Sequence, residues 1–204
     1  MTQSANVVWH GGGVDREMRR HYLGLSGATV WFTGLPSSGK STLARALEES
    51  LVAQGMAAYV LDGDNLRHGL NGDLGFDAGS RQENVRRTAE VARLFADAGV
   101  IALVSLVSPY GADRARARAM HEADGVRFIE VFVNRSVEEC ERRDPKGLYA
   151  RARRGEIPAF TGVDAPYEAP ERPELELTHE GVEEAVDRVL EMLASGSPAS
   201  VRDA

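Results

Sequence analysis

Residues 34 to 42 read GLPSSGKST, directly after the apolar run ATVWF and directly before LARALEESL. Gly34 and Gly39 enclose Leu35, Pro36, Ser37 and Ser38, and Lys40, Ser41 and Thr42 follow at once. That spacing is a phosphate-binding loop when a strand precedes it and a helix follows. The glycines let several backbone N–H groups turn inward, and the helix adds the positive end of its dipole. Lys40 is a point charge for β- and γ-phosphates, and the Ser41 hydroxyl is a ligand for Mg²⁺.

Further along, LDGDN places Asp62 and Asp64 two residues apart just past a second apolar run. One carboxylate suits a metal ion and the other an acceptor hydroxyl, although Asp-Gly and Asp-Asn are also ordinary turn chemistry. Arg81 and Asn84 are three apart at a helix start and share a face that suits an anion. A surface arginine beside a helix-start asparagine would look the same. Phe76 fits a core as well as a base, and Arg67 has no partner in the local sequence. In SLVSPYG, Ser105 and Ser108 stand where a hydroxyl either bonds a phosphate or caps a turn before Pro109. The arginines of RARARAMHEADG are spaced by two, which reads as a solvated helix face. RDPKGLYARARRGEIPAFTG gathers Lys146, several arginines, Tyr149 and Phe160, and Lys40 and Lys146 are the only lysines in the chain. Cations and rings in such a segment suit a lid that closes over phosphates and excludes water; a mobile basic loop is the plainer possibility.

Periodicity supplies the elements that must carry these groups. Strands are expected at 28–33, AAYVL, VIALVSL, RFIEVFV and ELELT. Helices are expected at 40–54, from a capping box Ser80–Glu83 to about Ala98, at 112–123, from a second capping box Ser136–Glu139, around LYARARRG, and at 181–194. Alternating strands and helices predict an α/β fold, a mostly parallel sheet with helices on both faces. Ligands then gather beyond the carboxyl ends of the strands, where GLPSSGKS, DGDN and VSPYG all fall. Residues 144–173 hold five prolines and stay irregular, the mark of a functional lid, here about 144–166. Residues 1–27 read as an extension containing a short helix, 28–194 as the domain that carries the phosphate loop, and 195–204 as a disordered tail.

The chain has 204 residues and a net charge of −7, which suits one domain and argues against general binding to nucleic acid or anionic membrane. Cys140 is the only cysteine, so no intrachain disulfide is available, and it reads as a small buried side chain. The longest apolar run is too short to span a bilayer, and the first residues lack the pattern of a secretion signal. A cytoplasmic protein is expected.

Taken together, WFTGLPSSGKST, LDGDNLRHGLNGDLGF, RQENVRR, FADAG, SPY, RDPKGLY, GEIPAFTGVDAPYE and HEGVEEAV resemble the adenylyl-sulfate kinase (APS kinase) family, in its order and spacing, from about Val8 to Leu193. The phosphate loop is common to many kinases, whereas DGDNxRxGL and DPKGLY…FTGxDxxYE are far more specific. The resemblance implies a P-loop NTPase three-layer sandwich with a lid, ATP and Mg²⁺ at the loop, and adenosine 5′-phosphosulfate (APS) as the phosphoryl acceptor at its ribose 3′-hydroxyl. It implies an APS-binding set of Asp64, Asn65, Leu66, Arg67, Phe76, Arg81, Asn84, Val107, Ser108, Lys146 and Phe160. Phe76 and Phe160 would sandwich the adenine, and the arginines would hold the phosphosulfate. Lys40, Asp62 and Asp64 would carry the chemistry, with Ser41 and Asp62 on the metal. Ser108 matches a serine that the family has been said to phosphorylate; in-line transfer needs no covalent stopover, so Ser108 is expected to contact substrate.

The chain departs from the family's usual pattern at LYARARRGE, where lysines are common, and at Gly111, where a larger side chain is usual. A homodimer is implied, as is a separate ATP sulfurylase that supplies APS. A P-loop kinase of another small alcohol and a non-catalytic nucleotide-binding subunit are the competing expectations. A ring pair for a base argues against the first, and retention of Lys40, Ser41 and both aspartates argues against the second.

Overall fold

The computed structural model describes residues 7–8 and 10–195. Five strands form one parallel sheet: β1 (Ala28–Thr33), β2 (Ala58–Asp62), β3 (Ile101–Ser105), β4 (Phe128–Val133) and β5 (Leu175–Leu177), in the spatial order β2-β3-β1-β4-β5. The helices are α1 (Arg16–Leu23), α2 (Lys40–Ala53), α3 (Gly63–Leu66), α4 (Ala78–Asp97), α5 (Gly111–Ala123), α6 (Val137–Arg143), α7 (Leu148–Arg153) and α8 (Val182–Ser195).

Strand alternation sorts the core into two layers. Val30 and Phe32 of β1, Ile101 and Leu103 of β3, and Ile129, Val131 and Val133 of β4 pack with Leu43, Leu47 and Leu51 of α2 and with Ala185, Val186 and Val189 of α8. The intervening Trp31, Ala102, Val104 and Phe128 pack with Val85, Ala89 and Ala92 of α4 and Ala117 of α5. Both faces of the sheet are therefore covered, the three-layer arrangement expected from uniformly apolar strands. The segment after α6 has a small core of its own, where Tyr149, Ala152 and Phe160 close on Cys140 and on Leu35 of the phosphate loop. Cys140 is fully buried there, as expected, and burial pushes its thiol pKa up.

Two local expectations are corrected. The helix carrying Arg81 and Asn84 does not begin at a Ser80–Glu83 capping box. Asp77 is the N-cap, accepting from the Ser80 N–H at 3.0 Å and the Ser80 hydroxyl at 2.6 Å. Glu83 turns instead to Arg86 and Arg87, whose hydrogen bonds hold its carboxyl down at about 2. The second capping box forms as expected, with Ser136 and Glu139 exchanging bonds.

Nor is the α5 arginine run a solvated face. Arg114 is 3% exposed and donates to Glu130 Oε1 at 2.8 Å, and Arg118 bonds Glu174 and reaches Glu130. Spacing by two puts Arg114 and Arg118 one turn apart on the sheet side and leaves Arg116 between them half exposed.

In the N-terminal extension α1 buries none of its residues and is tied on by Arg16, which donates to Asp97 and to the carbonyls of Asp124 and Gly125. Ser195 closes α8; the rest of the expected disordered tail, 196–204, lies outside the described residues.

Candidate functional site

The phosphate loop joins β1 to α2 through backbone that only particular residues adopt. Gly34 has φ 150°, and a Cβ there would come within 2.6 Å of the Val133 carbonyl oxygen, so β4 leaves room for glycine alone. Ser37 and Gly39 are also in the positive-φ region. Such geometry turns consecutive N–H groups into one concavity, the arrangement that binds phosphate.

Lys40 is the first residue of α2 and is buried. Its ammonium donates to the carbonyls of Gly34 at 3.0 Å and Leu35 at 2.6 Å and to Ser38 Oγ at 3.3 Å. Burial lowers its pKa from 10.5 to about 8, against partial support from Cys140, Asp62 and Asp64.

The next residue begins the polar side of the cleft. The Ser41 hydroxyl donates to Asp62 Oδ2 at 2.6 Å and lies 3.1 Å from Ser105 Oγ. The parallel register makes this meeting: Asp62 ends β2 directly opposite Ser105, the end of β3, and Ser105 pairs in turn with Phe32 of β1. Asp62 Oδ1 caps α3 by accepting from the N–H groups of Asp64 and Asn65. These oxygens suit a hard cation. Among the described residues no group of three or more His, Cys, Asp or Glu could hold a metal. A divalent ion here would therefore complete its shell with phosphate and water, which fits Mg²⁺.

Asp64 is the second residue of α3 and pairs with Lys146, 82 residues later in the chain. Arg67 donates to the Leu74 and Gly75 carbonyls and lies 4.1 Å over the exposed Phe76 ring. Arg81 gathers two distant segments: Nε donates to the Phe76 carbonyl at 2.7 Å, Nη1 to Thr161 Oγ1 and Nη2 to the Ala159 carbonyl, both at 2.6 Å. Phe160, between those last two residues, is buried edge-on against Tyr149 with centroids 5.0 Å apart. Phe76 is thus an open ring and Phe160 a packed one. Asn84 is buried one turn after Arg81, with its side-chain oxygen accepting from Asn71. Asn65 is exposed and Leu66 half-buried against the α4 side of the core.

Ser108 is 3% exposed at φ 40°. Its hydroxyl accepts from Trp31 Nε1 at 3.1 Å and donates to Thr33 Oγ1 at 2.9 Å, so the side chain is committed inside the fold. Thr33 donates in turn to the Val107 carbonyl. No hydrogen bond among the described residues uses the backbone N–H of Val107 or Ser108.

The adenylylsulphate kinase family model matches residues 26–178. The chain belongs to the adenylylsulphate kinase family. It is 49% identical to the adenylyl-sulfate kinase of Staphylococcus epidermidis over 195 residues, 95% of this chain and 97% of that one. It is 52% identical to the adenylyl-sulfate kinase of Aeromonas hydrophila over 191 residues, 93% and 96% of the two chains. Among solved structures, the Mycobacterium tuberculosis APS kinase CysC in complex with AMPPNP and APS superposes with a TM-score of 0.82 at 52% identity, covering 83% of this chain and 99% of that one.

Among the residues expected at the site, Asp64 meets Lys146, Arg67 lies over Phe76, and Arg81 ties Phe76 to Ala159 and Thr161. Sequence reasoning overlooked four contributors. Arg143 ends α6 and reaches the Ser38 carbonyl at 3.4 Å, beside Gly39. Tyr167 meets Thr33 Oγ1 at 2.9 Å and stacks on Phe132, and burial pushes its hydroxyl up to about 12. Arg114 anchors the carbonyls of Ser108 and Glu168. Asn71 holds Asn84. None has a local pattern that signals a site; each is defined by the partners that the fold brings to it.

Proposed function

We infer that the chain is an ATP-dependent kinase that transfers the γ-phosphoryl group of ATP to the 3′-hydroxyl of APS, giving 3′-phosphoadenosine 5′-phosphosulfate and ADP. Membership of the family carries the reaction. The observation that carries the mechanism is the division of the cleft. Lys40, Ser41 and Asp62 stand at the phosphate loop, and Asp64, two residues after Asp62, pairs with Lys146.

The loop amides and Lys40 hold the β- and γ-phosphates, so charge that builds up during transfer meets dipoles already in place. Ser41 and Asp62 would hold Mg²⁺, which neutralises phosphate charge when bound. Asp64 orients the 3′-hydroxyl and accepts its proton, and Lys146 holds that carboxylate in place. Arg67, Arg81 and Asn84 take the phosphosulfate, Phe76 and Phe160 take the two sides of the adenine, and Asn65 and Leu66 line the approach. For Ser108 the contact with APS is assigned to the backbone N–H, together with that of Val107, because the hydroxyl is already bonded on both sides.

The resemblance supports a homodimer working in the cytoplasm on APS from a separate ATP sulfurylase, and sizing in solution tests the dimer. The reaction is tested by coupled ADP release with purified protein. ADP should appear only with APS present, and with neither shikimate nor a sugar as acceptor. ADP formation that ignores APS refutes the assignment.

A further inference from the structure

Asn84 lies in the proposed APS-binding face of α4, where its side chain could present either an amide N–H₂ or an oxygen. The two have opposite consequences for an anion, and the surroundings of Asn84 decide between them.

Thr88, one turn on, donates its hydroxyl hydrogen to the Asn84 backbone carbonyl at 2.8 Å. A hydroxyl has one hydrogen, so toward anything else Thr88 can only accept. Asn71 Nδ2 lies 3.5 Å from that oxygen and 3.0 Å from Asn84 Oδ1. Asn71 is 0% exposed, and Thr88 is also 0% exposed, so water does not compete. The donor side of the Asn71 amide must therefore face the pair. Its oxygen is left buried without a partner, a cost that the reverse orientation would not remove.

With Oδ1 of Asn84 turned to Asn71, the other arm of the amide presents Nδ2. That nitrogen has no partner among the described residues, and it is not one of the sealed unpaired atoms. It lies on the same helix face as Arg81, three residues earlier.

We propose that Asn71 is a positioning residue for substrate recognition: by holding Asn84 Oδ1 it sets the Asn84 side chain to donate, and so selects an acceptor oxygen of the phosphosulfate-bearing substrate. Asn71 itself touches no ligand. The inference rests on Asn84 binding APS.

The test measures KM for APS, KM for ATP, kcat and Tm for Asn71→Leu, Asn84→Ala, Asn84→Asp and the Asn71→Leu/Asn84→Ala double variant. Asn84→Asp keeps an acceptor for Asn71 but offers the substrate only oxygen, so its KM for APS should rise at least about tenfold above that of Asn84→Ala. Asn71→Leu should raise KM for APS about fivefold to tenfold with KM for ATP unchanged, and should add nothing in the Asn84→Ala background. Equal effects on both substrates, additive losses in the double variant, or an Asn84→Asp enzyme with the wild-type KM for APS would overturn the proposal. If Asn71→Leu fails to accumulate, Asn71→Ser takes its place in the same comparison, alone and in the Asn84→Ala background. A normal KM for APS in Asn84→Ala would remove the substrate role of Asn84 itself and this proposal with it. Additivity alongside a raised KM in Asn84→Ala would remove only the role of Asn71.

Discussion

The Ser41 hydroxyl donates to Asp62 Oδ2 at 2.6 Å across 21 residues of chain, with Ser105 Oγ 3.1 Å away on the other side. The start of α2 and the ends of β2 and β3 are thereby joined into one oxygen-lined corner. Ser41→Ala and Asp62→Asn should both raise the Mg²⁺ concentration needed for half-maximal rate and lower kcat by about 10²-fold or more, as loss of a charge-stabilising contact does. APS affinity, measured by calorimetry, should stay within about threefold, because no APS contact is removed.

Asp64 pairs with Lys146 beyond that corner. Asp64→Asn should cost about 10²–10⁴-fold in kcat, the range for a general base, while ATP affinity changes little. Stopped-flow nucleotide binding beside steady-state rates separates the two, and equal losses in both would contradict the assignment.

Lys40 should make nucleotide binding sensitive to alkaline pH. Burial lowers its pKa to about 8, so the folded chain gives up this proton before the unfolded chain does. From this group alone, the stability of the unliganded protein rises with pH between about 8 and 10.5, because the unfolded state binds more protons there. A polyphosphate favours the charged ammonium and pulls the proton back. Calorimetry at about pH 8.5, in buffers of different ionisation enthalpy, should show proton uptake on ATP binding that Lys40→Arg abolishes.

Gly34→Ala sets a methyl against the Val133 carbonyl in a conformation that L-residues avoid. Backbone strain alone should cost about 1–3 kcal/mol. Thermal unfolding should report that loss, and ATP binding should weaken with it, because the loop must shift to relieve the contact.

Ser108 carries a different expectation from the surrounding site residues. Its hydroxyl bridges Trp31 and Thr33, so Ser108→Ala should destabilise the fold by about 1–3 kcal/mol, the cost of stranding buried partners. Turnover should fall only a few-fold, and intact mass after incubation with ATP should show no phosphorylated enzyme. A collapse of kcat with unchanged stability would restore the hydroxyl to the chemistry.

Much of this protein is legible in one dimension because some of its chemistry is local. Gly34 to Ser41 needs only a strand before it and a helix after it, and the apolar alternation of β1, β3 and β4 states which side chains face which layer. Where local pattern misled, a stronger long-range partner had taken over. Asp77 captured the α4 start from Ser80 with an ionised acceptor, and Glu130, from β4, drew Arg114 out of solvent.

The sequence by itself determined the parallel sheet, the phosphate loop, and the identity of the groups that could hold a nucleotide and accept a proton. Tertiary structure alone decided which of those groups meet. It placed Asp62 on Ser41 through strand register, set Lys146 on Asp64, turned the Ser108 hydroxyl inward, and aligned Asn84 through Asn71. The physical reason is that hydrogen bonds are short and directional, so a side chain's role depends on what lies within about 3 Å of it. Spacing along the chain does not encode that distance once a strand crossover intervenes.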